Sequence, residues 1–294
     1  MWTFHWLSSR TKQILSTGNL KPIHIPVWIV GLVISIMWIA PFIWMVSTSL
    51  KPADEVMTKQ IEWLPRHVVS DNYRKMFEYP VGRWAWNSIV VAVSSTFIGV
   101  LFGSMTGYAL ARLHFPGRSF LFSILIASLM IPAEMTIVPM LVAFLKGGLA
   151  NTYTAMILPH TANVLSVYIF RQFFLQFPPE LEDAAEIDGA SKLVVFWRIA
   201  LPLARSPMIA ATTLVFSSNW NSFLWPLMIT FTEDMKTMPV GIALFTPVVG
   251  THTQLDGMGP AMAAVTILSI PGLLVFLLLQ RYFVEGISHS GIKG

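Results

Sequence analysis

The chain has 294 residues, of which 54% are hydrophobic and 12% charged. That is about half the charged share of an ordinary soluble domain, which excludes a conventional water-soluble globule. A net charge of +4 spread over scattered basic residues, with no basic stripe, argues against a nucleic-acid partner. The absence of cysteine removes disulfides and thiolate metal sites.

A helix needs about 20 apolar residues to cross the hydrocarbon core. Six stretches meet that length, so the chain is predicted to be an all-α, polytopic membrane protein with six transmembrane helices. Basic residues Arg10, Lys12 and Lys21 precede the first stretch, Pro26–Leu50. That stretch is too long for the apolar region of a secretory signal and lacks a small-residue cleavage site after it, so it reads as an uncleaved first span. Pro41 should kink it near its outer end. The second span is Trp86–Ala109, with Asn87 and Ser88 expected to cap its start. The third, Phe120–Leu145, is interrupted by "IPAEMTIVP". The fourth, about Thr154–Phe174, is the least apolar because it holds His160 and Asn163. The fifth, Ile209–Phe231, carries "SSNWNSFLWP", and the sixth, Ala261–Tyr282, contains Pro271.

With the N-terminus inside, eleven of the nineteen Lys and Arg lie on inner segments, and six of the other eight fall in one long outer loop, Lys51–Arg83. Every inner loop and both tails carry at least one basic residue. The bias orients both termini towards the cytoplasm. The expected organisation is an N-terminal tail (1–25), one membrane domain (26–284) with an inner loop at 178–202, and a C-terminal tail (285–294). No Lys or Arg is expected within a span.

That inner loop, "PPELEDAAEIDGASKLVVFWRIALP", is the polar exception. Five acids fall between Glu180 and Asp188. Pro178-Pro179 suits the first turn of a helix. Glu180, Glu182 and Asp183 then sit where the helix dipole favours negative charge. Leu181, Ala184 and Ala185 share one side at helical spacing. Gly189 suits a left-handed helix stop, and Ser191 can cap a second helix over Lys192–Ala200 that ends at Leu201-Pro202. The physics allows a plain connector between spans or a docking element facing the cytosol.

The pattern "EDAAEIDGASKLVVFWRIALP" resembles the EAA loop of permease subunits in binding-protein-dependent ABC importers. The matching positions are Asp183, Ala184, Ala185, Asp188, Gly189, Ala190, Leu201 and Pro202. Asp183 stands where that family has glutamate, with Glu182 just before it. The similarity runs from about Pro41 to the last residue, through "TGYALARLHFPG", "MIPAEMTIVPM", "GGLANTYTAMILPH", "NWNSFLWPLM" and the "GIKG" tail. These segments resemble the carbohydrate-importing branch, and above all the smaller six-span permease typified by the maltose importer. Ser222 departs from an acidic residue common there.

The resemblance implies a transport subunit rather than an enzyme: half of a translocation pathway in a bacterial or archaeal inner membrane. It implies a heterodimer with a second permease, two copies of a cytoplasmic ATPase and an external or periplasmic solute-binding protein. Glu182, Asp183, Ala184, Ala185, Asp188, Gly189 and Ala190 would couple to the ATPase. No G-x-x-x-x-G-K-[ST] occurs in the chain. No cofactor is therefore expected here, ATP and magnesium being held by the partner ATPase, and no metal site is expected. The solute would be a neutral oligosaccharide, a polyol or a modified sugar, with glycerol phosphate or another anionic derivative as the alternative.

Polar groups inside spans usually face a cavity or a neighbouring helix. Glu134 either lines the pathway or sits at the outer interface. His160 either meets solute or packs. Asn219, Trp220, Asn221, Ser222 and Trp225 offer amides and indole faces for a sugar, although such residues also join helices in membranes. An ion-coupled carrier would need intramembrane ionisable groups in matched broken helices, for which only Glu134 and His160 are available.

Overall fold

The structure, a computed structural model, describes residues 24–56, 62–243, 245 and 258–290. The basic residues Arg10, Lys12, Lys21, Lys59 and Lys293, and the "GIKG" tail, lie outside the described residues. Helices dominate, and no strand occurs among the described residues. The helices are α1 (His24–Ser49), α2 (Ala53–Val56), α3 (Asp71–Met76), α4 (Val81–Arg112), α5 (Arg118–Ser128), α6 (Ala133–Lys146) and α7 (Tyr153–Thr161). They continue with α8 (Val164–Leu175), α9 (Pro179–Ile187), α10 (Lys192–Leu203), α11 (Arg205–Trp220), α12 (Leu224–Ile229), α13 (Met238–Ala243) and α14 (Met258–Ser290).

Among the described residues, three segments are long and apolar enough to cross a bilayer singly: Pro26–Ser49, Val81–Arg112 and Met258–Gln280. Two more arise if bent pairs count as one span each. α5 and α6 meet at 97°, and α10 and α11 at 79°. The interruption expected in the third span is the first of these bends, at Pro132. The breaks in the fourth and fifth were not expected. The fourth is two helices of 9 and 12 residues, each too short to span alone, parted at Ala162 where Asn163 caps α8 by accepting the Ser166 N–H at 2.9 Å. The fifth breaks after Trp220 and resumes as α12. Broken helix is tolerated at membrane depth only where protein or a water-lined cavity satisfies its backbone.

α4 is the mast of the molecule. Its 32 residues rise about 48 Å, enough to cross hydrocarbon and both interfaces. Three clusters of buried side chains are threaded on it. Val100, Tyr108 and Ala111 pack with Phe170, Phe174, Phe196, Ala200, Ala211 and Val215 at the α8, α10 and α11 end. Val91 joins Ala155, Met156, Trp225 and Ile229 further along. Val81 and Trp84 join Met76, Met238, Ile242, Phe245, Ala261 and Ala264 at the other end.

Gly99, Gly103 and Gly107 recur every four residues, so they form one ridge-free strip of α4. α8 lies in that strip. A Cβ on Gly107 would stand 2.8 Å from Phe170 Cβ and 2.9 Å from the Arg171 backbone nitrogen, and one on Gly99 would stand 3.2 Å from the His160 carbonyl oxygen. With no hydrophobic drive between helices in lipid, such close backbone approach is what holds the pair.

Candidate coupling surface and pathway residues

The acidic 178–202 loop folds as a helical hairpin. Pro179 opens α9, with Glu180 and Glu182 in its first turn. Gly189 takes φ +84°, the left-handed stop, and the chain closes through Gly189 N–H to the Glu186 carbonyl at 3.0 Å and Ala190 N–H to Ala185 at 2.9 Å. Ser191 Oγ accepts the Val194 N–H and starts the second arm. That arm runs on through a π-helical turn, Phe196–Ala200, to Leu203 instead of stopping before Pro202. Lys192 pairs with Glu186 across the turn.

Burial sorts the hairpin residues into two groups. Asp183, Ala184, Asp188 and Gly189 are exposed, and Ala185 and Ala190 are half-buried. Glu182 is turned inward. Its Oε1 accepts the Arg112 Nε–H at 2.9 Å, with the two side chains only 7% and 15% exposed. Arg112 is the last residue of α4, and its guanidinium also lies 5.9 Å from the centre of the Phe177 ring. One turn earlier Tyr108 packs on Phe174 at 5.3 Å and Phe196 at 5.2 Å, one ring before the hairpin and one within it. The hairpin is therefore clamped to the end of the mast. Ile187, which drew no notice in the sequence, is 86% exposed at the tip.

The residues proposed to meet solute separate in the same way. Asn219 is buried and donates to Thr96 Oγ1 at 3.1 Å, Trp220 Nε1–H donates to the Leu268 carbonyl at 2.9 Å, and Trp225 Nε1–H to the Ala155 carbonyl at 2.9 Å. All three spend their polar atoms joining helices. Asn221 is exposed at the end of α11 and Ser222 is partly exposed in the break after it. Glu134 is exposed in the first turn of α6, just past the 97° bend. His160 is partly buried at the end of α7, and its Nε2 has no hydrogen-bond partner among the described residues. The structure does not gather these residues into one cluster.

Two sequence expectations need correcting. Asn87 and Ser88 do not cap α4, which starts six residues before Asn87, at Val81. Both are buried cross-links. Asn87 Nδ2 donates to the carbonyls of Asp234 at 2.7 Å and Lys236 at 2.8 Å while its Oδ1 accepts from the Tyr153 hydroxyl, and Ser88 Oγ accepts the Met238 N–H at 2.8 Å. Arg171 lies inside α8, within the predicted fourth span, with its guanidinium 3.8 Å from the centre of the Phe122 ring, and Arg83 and Arg112 lie within Val81–Arg112, so the spans are not free of Lys and Arg. The Gly99–Gly103–Gly107 strip drew no notice in the sequence although its period of four was legible there, whereas nothing local paired Arg112 with a glutamate seventy residues away.

The family described as "Binding-protein-dependent transport system inner membrane component" matches residues 99–289, well over half of the chain and including the whole hairpin. The chain belongs to this family. It is a multi-pass membrane permease, a component of a larger transport system. The arabinooligosaccharide transport system permease AraQ of Halalkalibacterium halodurans is 35% identical over 265 residues, covering 89% of this chain and 93% of that protein. The glycerol-3-phosphate transport permease UgpE of Yersinia pestis is 36% identical over 211 residues, covering 72% and 74%. The lactose transport permease LacG of Rhizobium radiobacter is 31% identical over 253 residues, covering 86% and 90%. A bacterial ABC transporter involved in importing the acidic polysaccharide alginate shares the fold, with a TM-score of 0.75 at 20% identity over 90% of this chain and 99% of that one.

Proposed function

We propose that this permease forms half of the pathway of an ABC importer for a sugar or sugar-like solute, and that its hairpin is the handle by which a separate ATPase drives it. The observation that carries this reading is the hairpin itself: a capped turn with Asp183, Asp188 and Ile187 in the open, mounted on α4 through Glu182. Asp183, Ala184, Ala185, Asp188, Gly189 and Ala190 dock in the ATPase; both termini face the cytosol. A second permease completes the pathway, two ATPase copies hold ATP and magnesium, and an external binding protein delivers the solute. This chain hydrolyses nothing itself. Closure of the ATPase pair pushes on the hairpin and tips the broken helices between inward and outward openings.

Relatives named for arabinooligosaccharides and lactose support a neutral saccharide. The relatives named for glycerol 3-phosphate, together with Arg171 within α8, support an anionic sugar derivative as the second reading.

The test is uptake into vesicles reconstituted with the permease pair, its ATPase and the loaded binding protein. Uptake should require ATP inside the vesicles and persist when ion gradients are collapsed. Uptake that follows the ion gradient and ignores ATP would overturn the reading.

A further inference from the structure

Glu182 lies within the acidic segment, and a docking loop invites the view that all of its acids face the ATPase. The geometry points to a different division of labour, and this inference rests on the proposed function above. We infer that the Arg112–Glu182 pair is an internal strut that transmits hairpin movement to α4, so that Glu182 is a positioning residue and takes no direct part in ATPase docking.

Three observations converge on this. The pair is short, 2.9 Å, and nearly closed to solvent, so it is neither loosened by salt nor free to swing outwards. It joins the last residue of the central helix to the first turn of the coupling helix, two elements separated by seventy residues of sequence. It is flanked by aromatic contacts that fix its direction: Phe177 beside the guanidinium, and Tyr108 against Phe174 and Phe196.

A push on the exposed tip then reaches α4 along a charged bond with little slack. The Tyr108 contacts alone are apolar rings that can slide. Removing either charge leaves the other buried and unpaired, which drives the hairpin to swivel away from α4 to reach water. The handle would then remain gripped but no longer turn the mast.

The full complex of both permeases, the ATPase pair and the loaded binding protein tests this, with ATP hydrolysis and solute uptake measured side by side. Glu182→Gln and Arg112→Gln should each keep the ATPase bound and hydrolysing while solute moved per ATP falls about fivefold or more, the lower bound of typical coupling between sites. The exchanged pair, Arg112→Glu with Glu182→Arg, should recover most of that ratio. Arg112→Lys, which keeps the charge, should stay close to wild type and covers the case in which the glutamine variant does not fold. An unchanged ratio in the single variants, or an exchanged pair no better than its parents, would overturn the strut. Loss of the ATPase from Glu182→Gln, with hydrolysis lost alongside, would place Glu182 in the docking surface instead. A wild-type complex that moves solute without ATP would sink the importer reading itself, a result distinct from any of these.

Discussion

Glu55, in the short helix α2, lies 2.8 Å through Oε1 from His67 Nδ1, and its Oε2 accepts the Arg66 N–H at 2.9 Å. The hydrogen bond with His67 is the strongest of the influences that hold its carboxyl below the ordinary carboxylate value; the desolvation of the site opposes them. A group depressed in the folded state stabilises the fold above its unfolded value, and that contribution is lost as pH falls through the folded value. The Glu55–Arg66–His67 contact should therefore hold from neutral pH down into the ordinary carboxylate range and loosen only in stronger acid. Exchange of the Arg66 amide, corrected for its intrinsic rate, reads this directly: protection should vanish in acid for the wild type and be weak at every pH in Glu55→Gln. Equal protection across that range would remove the latch. Asn87 makes the complementary point about legibility. Its type and its place near a helix start suggested a cap, but its actual role depends on carbonyls almost 150 residues away, which no local pattern records.

At the scale of elements, the hairpin was the most readable part of the chain. Proline at the first turn, glycine at the stop and serine at the second cap are each decided within four residues, and the structure places Gly189 and Ser191 as the sequence suggests. Among the described residues Gly189 has no neighbour within 4 Å to obstruct a side chain, so its requirement is conformational. A β-branched residue at φ +84° costs about 1–2 kcal/mol or more, and the turn can only relax by re-aiming Asp183–Asp188. Gly189→Val should thus insert into the membrane and pair with its partner permease, yet hydrolyse ATP without matching uptake. Coupled transport at wild-type efficiency would contradict the hairpin's role. The π-helical turn and the run-on to Leu203 escaped the sequence because a π turn has no composition of its own and Pro202 falls where the first turn of a resumed helix tolerates it.

For the molecule as a whole, composition announced a helical membrane protein, yet left the path of each span open. Apolar length is a one-dimensional signal, and a helix broken at Ala162 or after Trp220 keeps that signal while turning in space. What organises the broken pieces is the glycine strip of α4, against which α8 is laid. Gly107→Leu should overpack that contact at a cost of about 1–3 kcal/mol, and more if α8 cannot shift. Since all three buried clusters hang from α4, the variant should lower the melting temperature of the detergent-purified complex and broaden its elution profile. Melting and elution identical to wild type would mean the strip is not a packing face.

The π turn at Phe196–Ala200 carries one residue more than an ordinary helical turn requires. Each residue rotates a helix by about 100°, so that single surplus residue sets the compass bearing of the hairpin tip relative to α11. Exchanging side chains here alters packing by degrees, whereas deleting one residue would rotate the bearing of Ile187 and Asp188 by about 100° with their chemistry untouched.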